Sequence, residues 1–560
     1  MKMKTKKIPW QILSKLLAYI SVVLYLIFVI SGLNKPPVKD EAIFMKVVDG
    51  LNKGILYLDI YRGGEDFNLK ECYPIWHIPT WLLLLTAYTR IFGLSFISIR
   101  SFAFLFNIFS LVLVYLITKE LFGKRNMALA YLSIFFYTIT PFAVSGSLLI
   151  ENDNTVLNFV LLSFVFLFIW IVKKSKDLRL KNKYLLGLGL MFGLSLLVKE
   201  TTPILLPPVV LSYYILKGKF KLGIVYSIVI ALIGIFIMLS IWYVATTVYN
   251  LDFNCIFKWQ ASVSSTFFLK PLYILNILQI LSFRLSPAFF VLIHTTSLFF
   301  FFKLFSKHKR DECYFLLIYG LLVLILYTII LPSAPYGYPR YHYVLLAPFS
   351  ILIAYWVSGV IRPIKLKQCL LGVVILFLLI IYYTSLLKDP FTITPRLGYN
   401  LGDVALVSAI YFAPVILLSF IFNKKYQNHL AFYVVVLLLA TSIYINGIHI
   451  LATFDTIYDY GSYGLEETVK FVKNNVSPDE TIISPPDVAI YSNQPFFSVS
   501  RHHMIVKNFT AFEDTILKYN VRYAIIDEYI LAGLPNQLNY AIEKYPNFKI
   551  GTFIVLNTTH

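Results

Sequence analysis

The sequence predicts a mainly α-helical membrane protein of about thirteen transmembrane helices, ending in a small C-terminal α/β domain. Three observations carry this prediction. The 560-residue chain is 58% hydrophobic and only 14% charged, with a mean hydropathy of +0.73, values that exclude an ordinary soluble globule. Long apolar runs recur as far as residue 454, separated by short loops rich in Lys and Arg. From Asp455 onward, short β-branched runs alternate with amphipathic helical ones. Aromatic residues make up 17% of the chain, as lipid-facing helices with interfacial belts require. The net charge of +20 would suggest a nucleic-acid partner in a soluble protein. Here the excess lies in loops between apolar runs, where it sets topology.

The first span runs from about Trp10 to Leu33, and its flank Met1-Lys-Met-Lys-Thr-Lys-Lys7 places that end in the cytosol. The apolar run is too long for a signal peptide and lacks a small-residue cleavage site, so it is expected to stay as an anchor. Residues 34–97 then form a long outer loop with an amphipathic stretch, Glu41 to Leu51, and an apolar one, Trp76 to Phe92. The second is short for a span and carries His77, Pro79 and Arg90, which predicts an interfacial or re-entrant helix. Treated so, the next span, Ile99 to Leu121, ends on the basic turn Gly123-Lys-Arg125 inside the cell.

The remaining spans alternate consistently. They are expected near 127–147, 155–172, 184–198 and 201–215, then as a run that follows Lys221 and exits near Tyr249, an apolar segment after Pro271 that ends at Lys307-His-Lys-Arg310, and spans at 314–331, 343–360, 369–386, 403–422 and 430–452. An odd number of crossings with a cytoplasmic N-terminus leaves the C-terminus outside. Two units follow: a polytopic membrane domain, 1–454, and an extracytoplasmic α/β domain, 455–560. In the latter, strands are expected at Thr481-Ile-Ile-Ser, Tyr523-Ala-Ile-Ile-Asp and Phe553-Ile-Val-Leu, and helices at Leu465–Asn474, Glu513–Tyr519 and Gln537–Lys544. Asn475, Asn508 and Asn557 each open an N-x-S/T triplet, compatible with an outer location. Cys72 and Cys255 fall in expected outer loops, where a disulfide is open to them if they come close. No CxxC or His/Cys spacing points to zinc.

Mapped onto this topology, the polar residues segregate. The outer side carries Asp40, Glu41, Asp59, Arg62, His77, Glu151, Asp153, Lys199, Glu200, Arg340 and His342, many of them within a few residues of a span end. A single such residue is usually a helix-end anchor. Two acidic clusters on one side, Asp40-Glu41 and Glu151-Asn-Asp153, argue for a shared task, because ionised groups at that depth are costly unless paired or used. Transfer of a sugar from a polyprenyl-phosphate carrier suits them. A carboxylate can take the acceptor's proton, and Arg and Lys can receive the departing phosphate.

The string Lys39-Asp-Glu-Ala-Ile-Phe…Leu51-Asn-Lys-Gly-Ile-Leu-Tyr57-Leu-Asp59 resembles the first-loop motif of the GT-C glycosyltransferases, in the branch of the protein O-mannosyltransferases and ArnT-like aminoarabinose transferases. His77-Ile-Pro79…Phe92-Gly93…Arg100 is similar to that branch's next run, His-Pro-Pro…Phe-Gly…Arg, with Ile78 before Pro79 in place of a Pro-Pro pair. Leu121-Phe-Gly-Lys-Arg125, Pro141, Glu151-Asn-Asp153, Gly187–Lys199 and Pro339-Arg-Tyr341…Pro348 resemble its later motifs in order. The resemblance covers nearly the whole membrane part. It implies the GT-C fold and transfer of a sugar, with inversion, from a polyprenyl- or dolichyl-phosphate donor to a hydroxyl on a protein, lipid or glycan acceptor.

By the same resemblance Asp40 would be the general base, with Glu41 orienting it or the acceptor. Asp153, supported by Glu151, would position the acceptor or hold a divalent ion, and Mg2+ or Mn2+ between Asp40 and Asp153 is the metal to test. Lys199, Arg340 and Arg62 would receive the carrier phosphate beside Tyr341, and His77 would hydrogen-bond it. Other readings predict other features. An oligosaccharyltransferase-like enzyme would use Tyr458-Asp-Tyr-Gly461 within a longer tryptophan-bearing motif, but both tryptophans are absent. A transporter or flippase would show internal repeats and ionisable groups near the midplane, and a scaffold would show no convergence of acids with cations.

Overall fold

The computed structural model describes residues 10–37, 40–54, 62, 80–123, 126–175, 178–249, 252–254, 293, 296, 313–330, 339–360, 464–498, 509–527 and 537–559. Helix α1 (Trp10–Gly32) is followed by two short helices, α2 (Asp40–Asn52) and α3 (Thr80–Phe92). Each of these has 13 residues, about 20 Å at 1.5 Å per residue and too short to cross a bilayer. The amphipathic stretch and the interfacial helix expected in the first loop are therefore present as helices. Helix α4 (Phe96–Phe122) is a long span, opened by Ser95, whose side chain accepts from the Ser98 amide.

The expected span 127–147 is broken. It consists of α5 (Met127–Thr138) and α6 (Pro141–Leu148), bent by 67°. Thr140 is extended and Pro141 opens α6, which the sequence allows because proline fits only the first turn of a helix. A π turn, Asp153–Leu157, leads into α7 (Asn158–Lys174). After it come α8 (Asn182–Val198), a 3-10 turn (Pro203–Leu205) with α9 (Leu206–Leu216), and α10 (Phe220–Tyr249). Helices α8 and α10 approach closely through glycines: a Cβ on Gly193 would lie 2.9 Å from the Gly234 carbonyl oxygen. Helix α11 (Cys313–Ile325) ends in a π turn (Leu326–Ile330), and a 3-10 segment (Pro339–Leu345) starts α12 (Leu346–Val360).

Among the described residues six helices are long and apolar enough to cross a membrane, or seven with the bent pair counted as one span. The spans expected after Pro271 and at 369–386, 403–422 and 430–452 lie outside the described residues, as do His77, Cys72, Cys255 and Tyr458–Gly461. The outward face of α1 leaves Ile12, Leu16, Val23 and Ile27 exposed, while its other face buries Tyr25 and Val29. That is the division a lipid-facing helix of a multi-pass membrane protein shows.

The C-terminal part is an α/β unit: α13 (Leu465–Asn475), β1 (Ile482–Ser484), α14 (Pro486–Ser492), β2 (Phe496–Ser498), α15 (Phe509–Tyr519), β3 (Tyr523–Asp527), α16 (Gln537–Lys544), β4 (Asn547–Ile550) and β5 (Phe553–Asn557). The sheet order is β2-β1-β3-β5-β4, parallel from β2 to β3 and antiparallel beyond. The three expected strands and three expected helices are all there. Strands β2 and β4 and helix α14 went unforeseen, being too short for a period to show. This unit rests on the same end of the bundle as α2. The Tyr491 hydroxyl donates to the Pro37 carbonyl, the Phe96 and Tyr491 rings meet edge to face, and the Arg62 amide donates to the Phe496 carbonyl.

Candidate active site

Four of the charged residues here sit where their local backbone favours them. Asp40 and Glu41 lie in the first turn of α2, and Asp153 starts the π turn before α7, so all three face the positive end of a helix. Lys199 caps the C-terminus of α8, its amide donating to the Ser195 carbonyl, where a cation is favoured. Arg340 and Tyr341 ride on the 3-10 segment ahead of α12.

Packing brings these four segments together. Arg340 Nη2 lies 2.8 Å from Asp40 Oδ2, and its Nη1 lies 2.7 Å from Glu151 Oε1. Lys199 Nζ donates to both oxygens of Asp153 at 2.7 Å. The Tyr341 ring joins the two groups: Lys199 Nζ is 3.7 Å and Arg340 Cζ 5.5 Å from its centroid. The Tyr327 ring stands behind, 5.7 Å from Lys199, with its hydroxyl bonded to Thr201 and Thr202 at the turn after α8. Burial grades across the cluster. The Lys199 and Asp153 side chains are 2% and 1% exposed, whereas Asp40 is 29% exposed. Asp40 is thus the most exposed acid of the cluster. Burial holds the Lys199 ammonium below the ordinary lysine value, with Asp153 opposing that shift and Arg340 adding to it.

Glu41 faces elsewhere. Arg100, in the first turns of α4, forks onto it: Nη1 to Oε1 at 3.1 Å and Nη2 to Oε2 at 3.2 Å. The same guanidinium donates to the carbonyls of Lys35, Pro36 and Leu148, and the Ile150 amide donates to Glu41 Oε1. This buried pair ties together the ends of α1, α2, α4 and α6. Arg62 is exposed, and the described part of it that bonds is its backbone amide, on the C-terminal unit.

Among the described residues no three His, Cys, Asp or Glu side chains lie where they could hold one metal ion. The two acids expected to share one, Asp40 and Asp153, each face a cation instead, which does not fit a divalent site built on that pair.

Asn107, Tyr327 and Tyr343 did not stand out in the sequence as site residues, and Arg100 stood out only as the end of a family-like run with no role attached. The available signal was a lone guanidinium and a lone amide inside an otherwise apolar span, since such groups persist in a membrane only with partners.

Residues 77–244, which include Glu151, Asp153 and Lys199, match the family described as dolichyl-phosphate-mannose-protein mannosyltransferase. Among curated proteins the sequence finds no match. The structure is similar to that of ArnT from Cupriavidus metallidurans bound to undecaprenyl phosphate, with a TM-score of 0.58 and 14% identity, covering 97% of this chain and 98% of that one. It is also similar to the oligosaccharyltransferase of Archaeoglobus fulgidus in its apo form, with a TM-score of 0.53 and 15% identity over 98% of this chain and 74% of that one. AglB of the same organism, in complex with an inhibitory peptide and a dolichol-phosphate, gives a TM-score of 0.51 at 14% identity, over 97% and 74%. The chain thus shares the fold of these membrane proteins over nearly its whole length, and within it residues 77–244 match the mannosyltransferase family.

Proposed function

We propose that this protein transfers a sugar from a polyprenyl- or dolichyl-phosphate carrier to a hydroxyl acceptor, with inversion, at the outer face of the membrane. The observation that carries the reading is the joined cluster of Asp40, Arg340, Glu151, Tyr341, Lys199 and Asp153, built from segments as far as 300 residues apart. A carrier phosphate and a neutral hydroxyl are the reactants such a mixture of acids and cations suits. The ArnT structure is bound to undecaprenyl phosphate and the AglB structure is in complex with a dolichol-phosphate, which supports the same donor class here.

In this mechanism the acceptor oxygen attacks the anomeric carbon from the face opposite the phosphate. A carbon–oxygen bond forms as the sugar–phosphate bond breaks. The acceptor's proton passes to Asp40, and the bonding electron pair leaves with the lipid phosphate. Arg340 and Lys199 take up the growing negative charge, while Asp153 and Glu151 hold the two cations in place. Glu41 acts on Asp40 through the backbone, by fixing the start of α2 against Arg100, and no step passes through a metal. The long outer loop and the C-terminal unit face the acceptor side, and the basic loops face the cytosol.

The test is the glycan and glycolipid profile of cells lacking the protein, complemented with wild type or Asp40→Asn. Wild type should restore the missing product and Asp40→Asn should not. Restoration by Asp40→Asn at normal abundance would remove Asp40 from its role as base.

A further inference from the structure

We infer that Asn107, in the middle of span α4, and Tyr343 act as positioning residues that set the spacing between the two cation-bearing halves of the site. This rests on the glycosyl-transfer reading and extends it to residues that touch no reactant. Asn107 lies seven residues beyond Arg100 in α4, about 10 Å deeper at 1.5 Å per residue. It is fully buried, as are Tyr137 and Tyr343. An amide at that depth in an apolar helix is tolerated only with its hydrogen bonds met.

Its bonds run to both halves. The Tyr343 hydroxyl donates to Asn107 Oδ1 at 2.5 Å and lies 3.1 Å from the Tyr137 hydroxyl. Asn107 Nδ2 donates to the carbonyls of Asn154 at 3.1 Å, Gly146 at 3.3 Å and Ala103 at 2.9 Å. Tyr343 follows Arg340 by three positions in the same 3-10 segment, and Asn154 directly follows Asp153 in the π turn. One side chain on α4 therefore fixes the backbone that carries Asp153, with its partner Lys199, and the segment that carries Arg340 and Tyr341. Two like charges beside one aromatic ring repel, so their separation needs an external brace. A shared carrier phosphate would need both at a set distance.

Gly146 completes the brace. A Cβ there would fall 1.9 Å from the Tyr343 ring, so the ring's place depends on glycine at that position.

The experiment uses the purified full chain in lipid nanodiscs, with dolichyl phosphate and undecaprenyl phosphate as binding probes across a pH series. Tyr343→Phe keeps the ring and removes only the hydroxyl. It should weaken binding by roughly 10-fold, the scale expected for sub-ångström misplacement of binding groups, and move the alkaline midpoint of binding upward as Arg340 draws away from Lys199. In an Arg340→Met background, Tyr343→Phe should add no further loss. Binding by Tyr343→Phe as tight as wild type overturns the inference, and so does a loss that only tracks the amount of folded protein or persists in full without Arg340. Wild type that binds neither lipid phosphate overturns the donor reading instead.

Discussion

Replacing Glu41 by alanine separates a brace from a catalyst. In the structure its carboxylate is turned to Arg100, and both side chains are almost fully buried, at 3% and 1% exposure. Removing one partner of a buried pair typically costs ~3–5 kcal/mol, because the other charge is left uncompensated. Arg100 keeps the carbonyls of Lys35, Pro36 and Leu148 as acceptors, so the lower end, about 3 kcal/mol, applies. At about 2 °C per kcal/mol for a large protein, the unfolding midpoint of Glu41→Ala should fall by roughly 6 °C. The assay is a thermal melt in nanodiscs at one fixed scan rate, since membrane proteins unfold irreversibly and only like-for-like midpoints compare. The double variant Glu41→Ala with Arg100→Leu should recover much of the loss, because the stranded charge is gone. A Glu41→Ala protein that melts like wild type but no longer transfers sugar would refute this reasoning and give Glu41 a direct part in the chemistry.

Three further outcomes are expected. In the proposed mechanism Lys199 would hold the carrier phosphate only while protonated, and burial lowers its pKa. Lipid-phosphate binding should therefore fail, as pH rises, sooner than the ~10.4 of an exposed lysine would allow; Lys199→Arg, always charged, should hold binding to higher pH, and an unmoved limb would count against Lys199 as the titrating cation. Glycosyl transfer should survive excess chelator within about twofold, as expected where Arg and Lys rather than a metal stabilise the leaving charge; loss restored by Mn2+ or Mg2+ would reinstate a metal. Gly146→Ala should lower the melting midpoint by an overpacking cost of ~1–3 kcal/mol, and combining it with Tyr343→Leu should return part of that stability but not the lipid-phosphate binding, as a melt and a titration on each variant would show.

Much of the fold was legible because a bilayer allows so few structures. A run such as Phe220–Tyr249 can only be a helix, and the basic stretches between runs fix which ends share a side. The acids were legible for the same reason: Asp40, Glu151 and Asp153 are conspicuous in a chain that is 14% charged. The break at Pro141 and the short strands β2 and β4 were less so. A proline in an apolar run does not reveal whether it kinks a span or starts a new helix, and three or four residues carry no period.

What the sequence determined by itself is the class of molecule and the end of the bundle where ionisable groups gather, because hydropathy and charge act locally along the chain. Which acid meets which base was decided only by tertiary structure. Asp40 and Glu41 are adjacent in sequence, yet successive positions on a helix point about 100° apart. One therefore reaches Arg340 in the open cluster while its neighbour is locked onto Arg100 inside the bundle. Helix packing selects those partners over separations of 300 and 59 residues, a choice no stretch of the chain encodes on its own.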